Sequence, residues 1–272
     1  MTGKKYCRAL TIAGSDPSGG AGLQADLKTF SALGCYGTTV VVAVVDENTV
    51  GVTGVHPIPV EFVKGQIRSV LDDIGTDAIK IGMLHSSELI RAVRDTLAAY
   101  DIRNIVLDPV MVATSGDPLL EQDAVVTLRD ELIPAVRVIT PNIPEAELLL
   151  GHPIDGQDAL PEAARELSDL CSGVSVFLKA GHLHDDELID IFYNAETGVT
   201  TELKSKRLAT VNTHGTGCTL SSAFAAALAK GMSLDDAARA AKDYIAAAIG
   251  AGASYEIGHG HGPVHHFHAW WQ

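Results

Sequence analysis

The 272 residues include 34 Asp and Glu against 20 Lys and Arg, a formal net charge of -14, and 46% are hydrophobic. That acidity excludes a nucleic-acid surface, which needs clustered cations, but leaves room for an anionic small ligand held by backbone dipoles. The hydrophobic share belongs to a globular chain with a sizeable core rather than a disordered one.

In chain order, "MTGKKYCRALTIAGSD" opens with basic residues, and its apolar run from Ala9 to Ala13 is too short for a signal-peptide core. "RALTIAG" reads as a buried strand and "GAGLQADLKTFSALG" as a helix with Leu23, Leu27, Phe30 and Leu33 on one side and Gly34 as its C-terminal cap. A Val-rich strand (Thr38 to Val45) precedes a helix from about Val60 to Ile74. Its "VVVAVV" is the longest apolar stretch and far too short to span a membrane. The strand "DAIKIGM", a helix from Ser87 to Tyr100 and the strand "RNIVLD" follow. "VRVIT" and "VSVFLKAG" are two further buried strands, each beside a helical segment. "ELIDIFYN" and "VTTELKS" suggest an antiparallel pair, and two Ala-rich helices come last. Strands alternating with helices predict an α/β fold with a mostly parallel central sheet and helices on both faces. No repeat, linker tract or composition break divides the chain, so one domain over residues 1–272 is expected. Four cysteines without CxxC spacing are expected to be reduced thiols of a cytoplasmic protein, about three of them buried and structural.

Ligands of such sheets sit beyond the carboxyl ends of the strands. "AGSDPSGGAG", "KIGML", "LDPVMVATSGD", "TPNIPE" and "LKAGH" all follow predicted strands, so five polar or Gly-rich ends converge on one edge. The stretch "VNTHGTGCTLSSAFAAALAKG" adds a helix mouth. Glycines before a helix let its unpaired N–H groups approach an anion, and a cysteine there has its thiolate favoured by the same field. Phosphoryl transfer needs such donors and a group that accepts a hydroxyl proton. A Gly-rich turn with an incidental buried cysteine fits the spacing equally well. A P-loop is excluded, because Gly20 and Ala21 occupy the places of its lysine and Ser/Thr. "GGAG" is not a GxGxxG, and Asp26 follows too soon for a dinucleotide site.

Taken together, "IAGSDPSGGAGLQADLKTFSALG", "KIGML", "VLDPVM", "SGDPLL", "TPNIPEAELLL" and "NTHGTGCTLSSA" resemble the hydroxymethylpyrimidine and phosphomethylpyrimidine kinases of thiamin biosynthesis, members of the ribokinase-like superfamily. The resemblance runs from about Ala9 to "GPVHHFHAWW". It implies a single ribokinase-like domain that uses ATP and Mg²⁺ to phosphorylate 4-amino-5-hydroxymethyl-2-methylpyrimidine and then its monophosphate. A homodimer is expected on the same ground, with no nucleic-acid or membrane partner.

By this resemblance Cys218 is the catalytic base for the hydroxymethyl group, at a place where many superfamily relatives carry aspartate. Its ordinary pKa of about 8.5 would need lowering by the helix terminus and nearby cations. Gly215, Thr216 and Gly217 would form the anion hole. His214 is either a phosphate contact or an exposed loop histidine. Asn142 and Glu145 match an N-x-x-E element that holds magnesium through water, and the same pair reads as a capping box; both roles can coexist. Lys179 would offset phosphate charge and Asp108 would serve the magnesium or phosphate side, whereas Lys80 could equally be a structural ion-pair partner. Thr114 stands where enteric relatives have a lysine that meets phosphate. Asp16 is expected within reach of the hydroxymethyl group. Glu47 would bond the adjacent amine and ring nitrogen of an aminopyrimidine. Val45 and Met83 would wall the ring, and Gly14 and Gly20 would shape the loop. The histidine-rich tail reads as packing and dimer-related structure rather than a zinc site. The runner-up is a pyridoxal kinase of the same superfamily. A non-catalytic nucleotide-binding regulator fits less well, because Cys218, Asn142, Glu145 and Lys179 are all present.

Overall fold

The computed structural model describes residues 4–111, 123–181, 183 and 185–271; Thr114 and the rest of "VATSGD" lie outside them. Among the described residues, nine strands form one sheet in the order β3-β2-β1-β4-β5-β6-β7-β8-β9. The strands are β1 (Arg8–Gly14), β2 (Tyr36–Glu47), β3 (Val52–Pro57), β4 (Ala78–Ile81), β5 (Ile105–Leu107), β6 (Val138–Ile139), β7 (Ser175–Leu178), β8 (Glu187–Asn194) and β9 (Val199–Lys206). The run from β2 to β7 is parallel, while β3, β8 and β9 are antiparallel additions at the two edges. Reading the sequence missed β3. Its "VTGVHP" is half exposed and weakly patterned, and it pairs with the last residues of β2, Ala43 to Glu47.

The helices are α1 (Gly22–Ala32), α2 (Val60–Asp73), α3 (Ser87–Leu97), α4 (Ala124–Thr127), α5 (Ile143–Leu150), α6 (Leu160–Leu170), α7 (Thr216–Ala229) and α8 (Leu234–Gly252). Side chains alternate across a strand, and the two sheet faces separate accordingly. Leu10, Ile12, Ile79, Ile81, Ile105, Leu107, Ile139, Val176 and Leu178 join the core under α2 to α6. Ala9, Ala78, Val106, Val138 and Phe177 join the core under α1, α7 and α8. The Ala-rich composition of α7 has a purpose here: every residue from Thr219 to Leu228 is buried, and small side chains let it lie close between the sheet and α8.

The predicted face of α1 is only partly right. Leu23 and Phe30 are buried, but Leu27 and Leu33 are half-buried, and Asp26 and Thr29 occupy the buried face with Ala25 and Ala32. Gly34 has φ +75 and its N–H meets the Ser31 carbonyl, as a C-terminal cap should. All four cysteines are free thiols. Cys35 and Cys171 are buried, and Cys7 and Cys218 are half-buried. No helix among the described residues is long and apolar enough to cross a membrane.

Candidate active site

The alternation that divides the two cores also builds the site. On the α7 side of the sheet, the apolar residues Ala78, Val106, Val138 and Phe177 are each followed two positions later by Lys80, Asp108, Thr140 and Lys179. These polar groups stand where the strands end, beneath the first turn of α7. A cavity of about 670 Å³ opens there, lined by Lys80, Asp108, Glu145, Lys179 and the whole stretch from Thr213 to Cys218. The predicted substrate-end residues Gly14, Asp16, Val45, Glu47 and Met83 line the same cavity. The converging strand ends thus meet as expected.

At the phosphate end, α7 starts after Gly215, whose φ is +76, and no side chain caps it. The Thr216 N–H donates to the Thr213 carbonyl at 3.2 Å, so the N–H groups of Gly217 and Cys218 are the ones that pull on anions. A Cβ on Gly215 would overlap the Gly20 carbonyl oxygen, so only glycine lets the two loops cross here. Gly217 lies under the helix beside both Asp108 and Lys179; a Cβ there would stand 3.3 Å from Asp108 Oδ2 and from Lys179 Nζ. Lys179 Nζ donates to Asp108 Oδ1 at 3.0 Å and lies 3.9 Å from Glu145 Oε2. Thr140 Oγ1 also donates to Asp108 Oδ1, at 2.9 Å.

The capping box at Asn142 is present in full. The Glu145 N–H donates to Asn142 Oδ1 at 2.9 Å, and the Asn142 N–H donates to Glu145 Oε2 at 2.8 Å. It turns Glu145 inward, where burial, with Asp108 adding, outweighs Lys179 and raises its pKa to about 7. Asp108 and Glu145 flank one lysine at this end, and their oxygens supply the hard donors that a divalent cation takes. Such a set fits a divalent magnesium ion.

Cys218 departs from expectation. Burial pushes its thiol up to about 11; Lys80 and the Gly22 N–H draw it down, but Asp26 and Asp108 oppose them. The helix mouth by itself does not produce a thiolate here.

Lys80 is fully buried and donates to Asp26 Oδ1 and Oδ2, both at 2.9 Å. Of its two expected roles, the structure provides the ion pair. Asp26 was not singled out from sequence beyond being too close for a dinucleotide site. It also accepts from Thr11 Oγ1 at 2.6 Å and Ser222 Oγ at 2.7 Å, joining α1, β1, β4 and α7 just behind Cys218. Its position on the buried stripe of α1 was the available signal.

Toward the substrate end, His214 is not the exposed loop histidine of the second expectation. It is 5% exposed, and its Nε2 lies 2.8 Å from Asp16 Oδ2. Burial opposes its protonation, but Asp16 wins and raises its pKa. Asp16 is itself buried and accepts from the N–H groups of Ser18, Gly20 and Ala21 and from Ser18 Oγ. Burial alone would raise its pKa, yet these bonds and His214 hold it well below the usual carboxylate range. Its oxygens thus organise the loop after β1. Asp16, Glu47 and His214 each bring a ligand atom within 4.8 Å of the others, which the Asp16–His214 ion pair explains without a metal. Val45 and Met83 are buried with Ala43 in a small apolar cluster. A Cβ on Gly14 would stand 2.8 Å from Met83 Cε, so glycine lets that wall close in.

A family model described as phosphomethylpyrimidine kinase matches residues 16–265. The chain belongs to that family. A hydroxymethylpyrimidine/phosphomethylpyrimidine kinase of Rhizobium meliloti is 50% identical over 266 residues, covering 97% of this chain and 98% of its own. One from Escherichia coli is 48% identical, covering 98% and 100%. Among solved structures, a Bacillus subtilis pyridoxal kinase in complex with ADP superposes with a TM-score of 0.87 at 38% identity, covering 96% of this chain and 98% of its own. The fold of this phosphomethylpyrimidine kinase family member is therefore that of a nucleotide-using phosphotransferase.

Proposed function

We propose that this chain transfers the terminal phosphoryl group of ATP to the hydroxymethyl oxygen of 4-amino-5-hydroxymethyl-2-methylpyrimidine, and then to the resulting monophosphate. One observation carries the reading. A single cavity holds Cys218 at an uncapped helix mouth, the Asp108–Lys179–Glu145 cluster on one side, and the Gly14–Val45–Glu47–Met83 end on the other.

In this reading the α7 N–H groups at Gly217 and Cys218, and the Thr216 hydroxyl beside them, stabilise the charge that develops on the transferred phosphoryl group. Lys179 adds a point charge to the same oxygens. Cys218 Sγ takes the proton of the attacking hydroxyl, while the Asp26–Lys80 pair behind it holds the cysteine's surroundings in place. Asp108 and Glu145 would hold Mg²⁺, which when bound offsets the charge of the triphosphate. Glu47 bonds the amine edge of the ring and Met83 and Val45 pack its faces. Asp16 and His214 lock the loop that carries Gly14 and Gly20. A homodimer in solution completes the proposal, and sedimentation velocity, reading either one chain mass or twice that mass, tests it.

The deciding experiment offers the purified protein Mg-ATP with the hydroxymethylpyrimidine or with pyridoxal and resolves the products by mass. Mono- and diphosphate from the pyrimidine, with little pyridoxal phosphate, is the expected result. Preferential formation of pyridoxal phosphate would keep the phosphotransfer machinery and overturn the reading of Glu47.

A further inference from the structure

The tail "GHGHGPVHHFHAWW" contains alternating glycines that packing of its histidines does not explain. Their surroundings do. Gly258 has φ +71, and a Cβ there would overlap Thr49 Oγ1; one on Gly260 would overlap the Thr49 carbonyl oxygen. A Cβ on Gly262 would overlap Asn212 Oδ1. The three glycines let the backbone lie directly on two separate loops. Thr49 belongs to the turn between β2 and β3, two residues past Glu47. Asn212 lies in the loop between β9 and α7.

Hydrogen bonds run along the same path. His259 N–H and Gly260 N–H both donate to Thr49 Oγ1 at 3.2 Å, and His261 N–H donates to the Thr49 carbonyl at 2.8 Å. One residue on, the His214 N–H donates to the Gly262 carbonyl at 3.0 Å, and His214 pairs with Pro263 in a parallel bridge. Asn212 Nδ2 donates to the carbonyls of Gly252 and Tyr255 at 2.8 and 2.7 Å, which anchors the strap to the end of α8. Pro263 backs Gly20, where a Cβ would stand 3.0 Å from Pro263 Cβ.

We infer that residues 258–263 form a fixed tie between the β2–β3 tip and the helix-mouth loop, and that Thr49 is a positioning residue for the substrate through Glu47. The tip is otherwise lightly held: β3 is an edge strand, and Val44, Val50 and Val55 are exposed. Loss of the tie would loosen the tip that carries Glu47 against the helix-mouth loop at the phosphate end. Productive phosphotransfer requires both ends to be held at a set separation. The inference rests on the reading of Glu47 as the substrate contact.

The test compares Thr49→Val, which keeps the shape and removes the acceptor, with Thr49→Ser, which restores it. Thr49→Val is expected to raise KM for the hydroxymethylpyrimidine about tenfold while KM for ATP changes less than about twofold. Thr49→Ser should return KM to the parent value, and thermal melts should not separate the three proteins. Adding Thr49→Val to Glu47→Ala should cost nothing further, because both act through one contact. An unchanged pyrimidine KM in Thr49→Val, or equal rises for both substrates, overturns the tie. An unchanged pyrimidine KM in Glu47→Ala overturns the reading of Glu47 instead. Gly260→Ala provides a second route: hydrogen exchange at residues 46–52 should speed up if the strap holds the tip and stay as in the parent if it does not.

Discussion

Burial raises the pKa of both Cys218 and Glu145, and each shift leaves a measurable pH signature. A thiol near 11 is ionised in roughly one molecule in a thousand at pH 8. The rate of the first phosphorylation should therefore climb about tenfold per pH unit between pH 7 and pH 9. The second transfer starts from an oxygen that is already ionised and should be flat across that range. Cys218→Ser should accordingly slow the first step by about a hundredfold and the second far less; equal losses, measured in single turnovers from each substrate, would remove Cys218 as the base. Glu145 binds its proton more tightly in the folded protein, with a pKa of about 7 against an ordinary 4.3 or so. Its contribution to stability is thus complete below pH 4 and lost as pH rises through 7. In metal-free buffer, Glu145→Gln keeps the capping acceptor and should flatten the fall in Tm between pH 5 and pH 8. A melt series with the parent slope would rule this account out.

Between elements, the joint that matters most is Asp26. Four secondary-structure elements send it a donor, or hold it, within a region that excludes water. Removing one partner strands a buried charge, which costs far more than the pair itself contributes. Lys80→Met should lose about 3–5 kcal/mol of stability in urea unfolding, and adding Asp26→Asn should recover part of that loss. A double variant as unstable as the sum of the singles would mean that the two groups act independently. This joint was only half legible in the sequence. Lys80 at a strand end suggested an ion pair, but an aspartate on a helix gives no sign of which strand it will face. Conversely, the Asn142–Glu145 box was readable directly, because its geometry is set by four consecutive residues.

Across the whole molecule, one cavity joins both ends of the reaction, so ligands at either end should stabilise the fold by mass action. A non-hydrolysable ATP analogue with Mg²⁺, at about a hundred times its Kd, should raise Tm by about 5 °C. Chelation of the metal, or Asp108→Asn, should remove most of that gain. A shift that survives chelation intact would assign Asp108 and Glu145 a duty other than holding the ion.

The sequence by itself determined the α/β class, the parallel middle of the sheet, the strand-end location of the site and the helix mouth at Gly215 to Cys218. Each is written in local periodicity or in a short run of neighbours, where backbone geometry leaves few choices. The tertiary structure decided what depends on partners distant in the chain. Asp16 and His214 lie 198 positions apart, and the ion pair that fastens the loop after β1 to the loop before α7 is visible only once the chain has folded. Burial by α1 and the sheet reverses the expected direction of the Cys218 shift, because a thiol's charge depends on everything around it and not on its own helix alone. The tail glycines likewise gained their meaning from Thr49 and Asn212, since a close backbone approach involves two segments and sequence displays only one at a time.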